Sequence, residues 1–224
     1  MVSRASMHAL FPGVLILPTS TLTTPHSRFR LALAGLAACA SVFAAAPAMA
    51  DGSFPKMLSE VDKQRLDEYQ DVRRITLEYV RAHGSAADVK MLYGVMAGDA
   101  QKIEPAKMAG DWRCRVIKLS QKPELPIVAY NDFKCRITDD SAGLSLQKLT
   151  GSQRTNGTFY DTNDKKLAYV GALSLGDAKR VTRYGEAQES NDVGYLIPLS
   201  AKRMRLELPS PMVESDFDVL ELRR

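Results

Sequence analysis

Gly110-Asp111-Trp112-Arg113-Cys114-Arg115-Val116-Ile117-Lys118-Leu119 and, further on, Asp132-Phe133-Lys134-Cys135-Arg136-Ile137 share one order of residue types: acid, aromatic, base, cysteine, arginine. Both alternate apolar and charged residues with a period of two, the pattern of a half-buried strand. Pro123-Glu124-Leu125 between them supplies a turn, so the two segments read as the arms of a hairpin. With the turn centred there, Cys114 is expected to face Cys135, Trp112 to face Ile137 and Val116 to face Phe133. Alternation alone puts the same residues on one apolar face. The two sulfurs are thus expected together, either as a disulfide closing a loop of twenty intervening residues or as two buried thiols. Directly opposed positions are a tight fit for a bridge, since their Cβ atoms lie about 4.5–5.5 Å apart where a disulfide prefers about 3.8 Å. Nothing resembling C-x-x-C at a helix N-terminus activates either thiol for redox work.

The texture of the hairpin continues to the C-terminus. Short runs rich in Val, Ile, Leu and Tyr alternate with Gly, Asn, Asp and Pro, and strands are expected near 111–119, 127–137, 143–150, 153–161, 166–174, 192–199, 202–208 and 216–222, with a weaker one at 180–184. Connections such as Asp161-Thr162-Asn163-Asp164 and Ser200-Ala201-Lys202 are short, so sequential strands should pair. The expected fold is mainly β: an antiparallel up-and-down barrel of about eight strands over 106–224, lipocalin-like. A helical segment over 51–105 precedes it. From Ser59 to about His83 the chain is charged, free of Gly and Pro, and carries Leu66, Tyr69, Thr76 and Val80 at helical spacing. Ser85 can cap a second helix from about Ala86 to Ala97, closed by Gly98, and the two form a helical hairpin.

The first fifty residues contain no Asp, Glu or Lys. Arg28 and Arg30 precede an apolar run from Leu31 to Phe43, and Ala48-Met49-Ala50 is an A-x-A site, so a signal peptide over 1–50 cleaved after Ala50 is expected. A less favoured alternative is a lipid anchor at Cys39, from the lipobox-like Leu36-Ala37-Ala38-Cys39; stable membrane insertion after cleavage is not expected. The whole chain has 30 basic and 26 acidic residues; the leader removes three arginines, leaving 27 against 26. A near-neutral balance gives no argument for nucleic acid. His8 and His26 leave with the leader, so a catalytic triad or histidine metal site would have to be built on His83 alone. His83 lies beside Gly84 at an expected helix C-terminus, where it reads as a capping partner. No phosphate loop, H-E-x-x-H, G-x-S-x-G or clustered Cys motif occurs, and no cofactor or metal is expected.

Three polar concentrations remain as candidate sites. Arg113, Arg115, Lys134 and Arg136 project from the charged face of the hairpin, with Arg154 nearby, and read as a solvated outer face or as an anion-binding or partner-binding patch. The segment from Leu149 to Gly157 offers hydroxyls, an amide and a guanidinium without a general base, and includes the short glycosylation-like pattern Asn156-Gly157-Thr158. Glu214 and Asp216 alternate on an expected strand approach and could form an acid and base pair.

The stretches Gly110-Asp111-Trp112-Arg113-Cys114-Arg115, Phe133-Lys134-Cys135-Arg136-Ile137-Thr138-Asp139, Leu149-Thr150-Gly151-Ser152-Gln153-Arg154-Thr155, Tyr169-Val170-Gly171-Ala172-Leu173 and the tail from Val213 to Leu222 together resemble a bacterial family of secreted proteins known only as a domain of unknown function. That resemblance implies no activity. Gly110-x-Trp112 at the start of a first strand also resembles the opening of lipocalins, which implies a tryptophan plugging one end of a barrel.

Leader, strand count and missing catalytic motifs point to a non-enzymatic periplasmic or secreted barrel. It would bind a small molecule in its mouth or present a surface to an envelope protein. The alternative is a cell-envelope hydrolase or transferase using Glu214 and Asp216. A barrel packed solid by Trp112, Phe133, Phe159 and Tyr169 would leave only surface recognition.

Overall fold

The computed structural model describes Lys56 and residues 58–224. The expected leader over 1–50, its cleavage after Ala50 and the Cys39 anchor lie outside the described residues. Nine strands form one sheet: β1 Gly110–Leu119, β2 Ile127–Ala129, β3 Phe133–Asp140, β4 Gly143–Lys148, β5 Gln153–Asn163, β6 Lys166–Leu175, β7 Asn191–Ser200, β8 Arg203–Pro209 and β9 Phe217–Arg223. Every neighbouring pair is antiparallel, and β1 also pairs with β9 from Arg113↔Arg223 to Leu119↔Phe217, which closes the sheet. The result is an eight-stranded up-and-down barrel with one short extra strand. The expected strand at 127–137 is interrupted at Tyr130-Asn131-Asp132, so β2 and β3 pair with successive parts of β1. The expected strand at 180–184 is instead part of a loop over 176–190.

The hairpin register differs from the expected one by two residues. Gly110 faces Ile137, Trp112 faces Cys135, and Cys114 faces Phe133. The turn is tighter and earlier than Pro123-Glu124-Leu125 implied, with Ser120 N bonded to Pro126 O and Leu125 N to Lys122 O. An even slip leaves every side chain on its own face and changes only its partner. Cys114 and Cys135 are diagonal neighbours joined by a disulfide, with Cα atoms 5.9 Å apart. Strand twist shortens one diagonal of an antiparallel pair, which resolves the tight fit expected of directly opposed cysteines. Reducing the bridge should lower stability by about 3 kcal/mol, the chain-entropy value for a loop of this length. Urea melts with and without reductant measure it; an unchanged midpoint would show that the barrel walls already hold the two strands together.

Inward positions of the barrel alternate along each strand. Trp112, Cys114, Cys135, Phe159, Tyr169 and Leu206 belong to one buried cluster that fills the end where β1 begins. Gly157 and Gly171 face each other across β5 and β6, and a Cβ on either would lie 2.5–2.8 Å from the Tyr169 ring or hydroxyl. Glycine there lets the tyrosine lie flat across the sheet and bond Thr155 Oγ1 at 2.8 Å.

The helical segment packs on the outside of the wall. Ser59 caps α1 (Glu60–Asp67) by accepting from Asp62 N, and Ser85 caps α3 (Ala86–Met96) by accepting from Asp88 N. The single helix expected from Ser59 to His83 is divided at Glu68 into α1 and α2 (Tyr69–His83). The break has a tertiary cause. Leu66 of α1 packs with Val170 and Val193, whereas Tyr69 and Val80 of α2 pack with Ile117, Leu119, Phe217 and Val219. One straight rod cannot lie flat on both parts of a curved wall. Among the described residues, no helix is long and apolar enough to cross a membrane.

Candidate functional site

One end of the barrel is sealed. A short helix, α4 (Pro105–Met108), lies under it, and Trp112 Nε1 donates to Met108 O at 2.9 Å. The Arg224 guanidinium stacks 3.9 Å from the Trp112 ring and donates to Met108 O at 2.8 Å. Arg224, one residue past β9, thus joins the first and last strands around the plug expected of Trp112.

The other end is where the loops 120–126, 149–152, 176–190 and 210–216 gather. There the inward positions turn polar: Lys118, Lys148, Gln153, Thr155, Asp192 and Asp218 line a cavity of about 60 Å³. Lys118, Lys148 and Gln153 also line a wider vestibule of about 250 Å³, flanked by Tyr130 and Phe133. The barrel is therefore not packed solid by Trp112, Phe133, Phe159 and Tyr169; Phe133 belongs to the mouth. Pro211, Met212 and Val213 roof the inner cavity. Their loop is pinned at both ends, by Ser210 N to Asp216 O and by Asp216 N to Leu119 O, each 2.9 Å. Ser210 (φ 44°) and Glu214 (φ 76°) both hold the left-handed conformation that costs a non-glycine residue about 1–2 kcal/mol, so the roof is held against local strain.

Burial dominates the electrostatics. It pushes the Asp218 carboxyl up to about 7, against the Ser215 hydroxyl bonded at 2.6 Å. It raises Asp192 as well, with the hydrogen bond of the Thr155 hydroxyl the largest opposing cause. Burial, then the charges of Arg154 and Lys118, lowers the Lys148 ammonium to about 8. Lys148 Nζ donates to Thr150 O (3.0 Å) and Gln153 O (2.5 Å) and lies 3.8 Å from the Phe133 ring. Lys118 Nζ donates to Glu214 Oε2 at 2.6 Å and Gln153 Oε1 at 2.9 Å, and this pairing holds Glu214 below its ordinary value. Ammonium and carboxyl groups that titrate near neutrality within one enclosure can hold charges of both signs and can pass a proton.

These shifts fix a pH dependence. Asp218 binds its proton in the folded state up to about pH 7 but releases it near 3.8 when unfolded. Folded molecules thus hold the extra proton between those values, and stability should fall by up to about 1.4 kcal/mol per pH unit as pH rises through that window. Lys148 works oppositely: unfolded chains hold the extra proton between about 8 and 10.5, so stability recovers as pH rises there. Denaturation of Asp218→Asn against the parent should show the decline flattened between pH 4 and 7; parallel curves would refute the assignment.

The residues singled out from sequence fall mostly elsewhere. Glu214 and Asp216 turn to different partners. They precede β9 in an irregular loop, and while Glu214 turns to Lys118, Asp216 Oδ2 accepts from Gln121 N at 2.6 Å. Of the arginine face, Arg115 pairs with Glu221 (2.8 Å) and Arg136 with Asp111 (2.7 Å). Arg154 Nε donates to Gly151 O at 2.9 Å, apart from the exposed Arg113 and Lys134. Asn156-Gly157-Thr158 lies within β5. His83 bonds Tyr79 O through Nδ1 at 2.9 Å and stacks on the Tyr79 ring, as a helix-end partner should. Lys118, Lys148, Asp192 and Asp218 were missed. The signal was present in alternation: Lys118 continues the inward row of Trp112, Cys114 and Val116, and Asp218 that of Leu220 and Leu222.

Plugged at one end and polar within the other, the molecule is a closed antiparallel barrel of the cup type. The chain belongs to DUF4893, a domain of unknown function, whose family profile matches residues 55–222 and so spans the helices and all nine strands but for the last residue of β9. No curated protein matches it. Among solved structures, a redesigned beta barrel is similar at 9% identity, covering 57% of this chain and 98% of its own, with a TM-score of 0.36.

Proposed function

We propose that this chain is an exported, non-enzymatic binding protein that holds a small molecule in the polar cup of its barrel. The observation that carries the reading is the placement of Lys118, Lys148, Asp192 and Asp218 at inward positions around a cavity with a vestibule. Charged side chains inside a small barrel cost stability unless something uses them. Export to the periplasm or beyond is supported by the leader pattern and by the Cys114–Cys135 disulfide, a bond that persists in oxidising compartments. Recognition of an envelope protein by the same loops is the related alternative. A second reading, acid and base chemistry of the envelope, passes from Glu214 and Asp216 to Asp192 and Asp218, favoured by the Asp218 carboxyl near 7.

Native mass spectrometry of the protein purified from its own compartment tests the binding reading. A small-molecule adduct is expected, and Leu173→Trp, which fills the cavity that Leu173 lines, should abolish it while circular dichroism stays unchanged. Absence of an adduct, or its persistence in Leu173→Trp, overturns the cup as a binding site.

A further inference from the structure

We infer that the cup takes a small zwitterion, a molecule bearing both an ammonium and a carboxylate, with the ammonium against Asp192 and Asp218 and the carboxylate against Lys148 and Lys118. This rests on the reading of the cup as a ligand site and names the chemistry it selects.

The first argument is how the protein treats its other buried carboxylates. Asp62 is paired with Arg65 at 2.8 Å, Glu207 with Arg73 at 2.8 Å and with Arg205, and Glu221 with Arg115 at 2.8 Å. Each buried charge is neutralised by a guanidinium, as desolvation requires. Asp192 and Asp218 break this pattern: neither has an ion pair among the described residues. Asp192 is only 7% exposed and lines the cavity, and its neighbour Thr155 already shares its hydroxyl with Tyr169. Asp218 receives the Ser215 hydroxyl alone. Two carboxyls with spare lone pairs aimed into one enclosure call for a donor carrying several N–H groups.

The second argument is the cations. Lys148 and Lys118 line the same cavity yet bond neither aspartate. Lys148, 4% exposed, donates to two backbone carbonyls and lies over the Phe133 ring, which leaves one N–H spare and its charge without a carboxylate partner among the described residues. Lys118 is held by Glu214 of the roof loop, a partner an incoming carboxylate can replace. Opposite charges that share a cavity without meeting are kept apart for a ligand that supplies both complements.

The third argument is depth. The aspartates line only the inner cavity, the lysines line both chambers, and Tyr130, Phe133 and Ser152 line only the vestibule. A ligand therefore enters ammonium first, leaves its carboxylate level with the lysines and lays any apolar body against Tyr130 and Phe133. A cavity of about 60 Å³ has room for an ammonium and a few carbons.

Titration of the ¹⁵N-labelled protein with four five-carbon molecules tests this: norvaline, 5-aminopentanoate, pentylamine and pentanoate. One of the two zwitterions is expected to move the amide resonances of Thr155, Asp192 and Asp218 and to bind at least about tenfold more tightly than either single-charge molecule, the yield of one charge-assisted hydrogen bond. The isosteric Asp192→Asn should weaken the zwitterion roughly tenfold to a hundredfold and leave pentanoate unchanged; Lys148→Met should do the same with pentylamine unchanged. Pentylamine or pentanoate binding at these amides as tightly as the zwitterions would overturn the inference while leaving the cup as a binding site. No shift at these amides with any of the four would also overturn it, and the adduct experiment on Leu173→Trp then decides the cup independently.

Discussion

Asp62→Ala should cost about 3–5 kcal/mol, the penalty for leaving a buried partner charge without its counter-ion. Asp62 is fully buried and collects the Ser59 hydroxyl at 2.7 Å, Arg65 Nη1 at 2.8 Å, Tyr184 Oη at 2.8 Å and Asn191 Nδ2 at 2.8 Å. Burial raises the carboxyl, but the hydrogen bonds from Ser59, Tyr184, Asn191 and Arg65 together outweigh it and hold it below its usual value. Its stabilisation is thus present above the unfolded value near 3.8 and is lost as pH falls through the lower folded value. One carboxylate ties three elements together: the α1 N-terminus, the 176–190 loop and the start of β7. Arg65 extends the clasp to Asn191 O at 3.0 Å and Pro209 O at 3.3 Å. Removing Asp62 leaves that guanidinium stranded, and a domain whose total stability is about 5–15 kcal/mol feels it. Asp62→Leu with Arg65→Met, which removes both charges, should recover most of the loss. Urea denaturation of the single and double variants measures both; a single-variant cost under about 1 kcal/mol would show the cluster to be solvated.

Trp112→Ala should cost a similar amount, about 3–5 kcal/mol, for a different reason. Trp112 is 3% exposed, faces Cys135 across the β1–β3 ladder, and is sandwiched between the core and the Arg224 guanidinium. Truncation opens a cavity at the sealed end, leaves the Met108 carbonyl with the Arg224 hydrogen bond alone, and releases Arg224 from its stacking surface. Trp112→Phe keeps most of the volume and should cost only about 1–2 kcal/mol, chiefly the lost hydrogen bond. The chain has a single tryptophan, so its fluorescence disappears with the mutation and the melts must be followed by circular dichroism. Equal losses for Ala and Phe would make the hydrogen bond, not the packing, the source of the effect.

Charged interior residues explain why the site was harder to read than the fold. Ile117-Lys118-Leu119 looks like a lysine exposed between two buried neighbours, because on a one-layer barrel the apolar pair should face inward. Here α2 covers the outer wall, so Ile117 and Leu119 are buried outward and Lys118 is left facing in. Phe217-Asp218-Val219 repeats the inversion on β9. Wherever helices coat a barrel, both faces of a strand become apolar, and polarity no longer marks the solvent side.

The sequence by itself determined the meander, most of its strands, the helix cap at Ser85, and the meeting of Cys114 with Cys135. These depend on local periodicity, turn chemistry and capping, which act over a few residues. Only the tertiary structure decided the two-residue register, the break at Glu68, the sealing of the plugged end by α4 and Arg224, and the gathering of the inward polar residues into one cup. Those depend on closure of β1 against β9 and on which wall the helices cover. Such pairings join residues a hundred positions apart, and no local pattern encodes them.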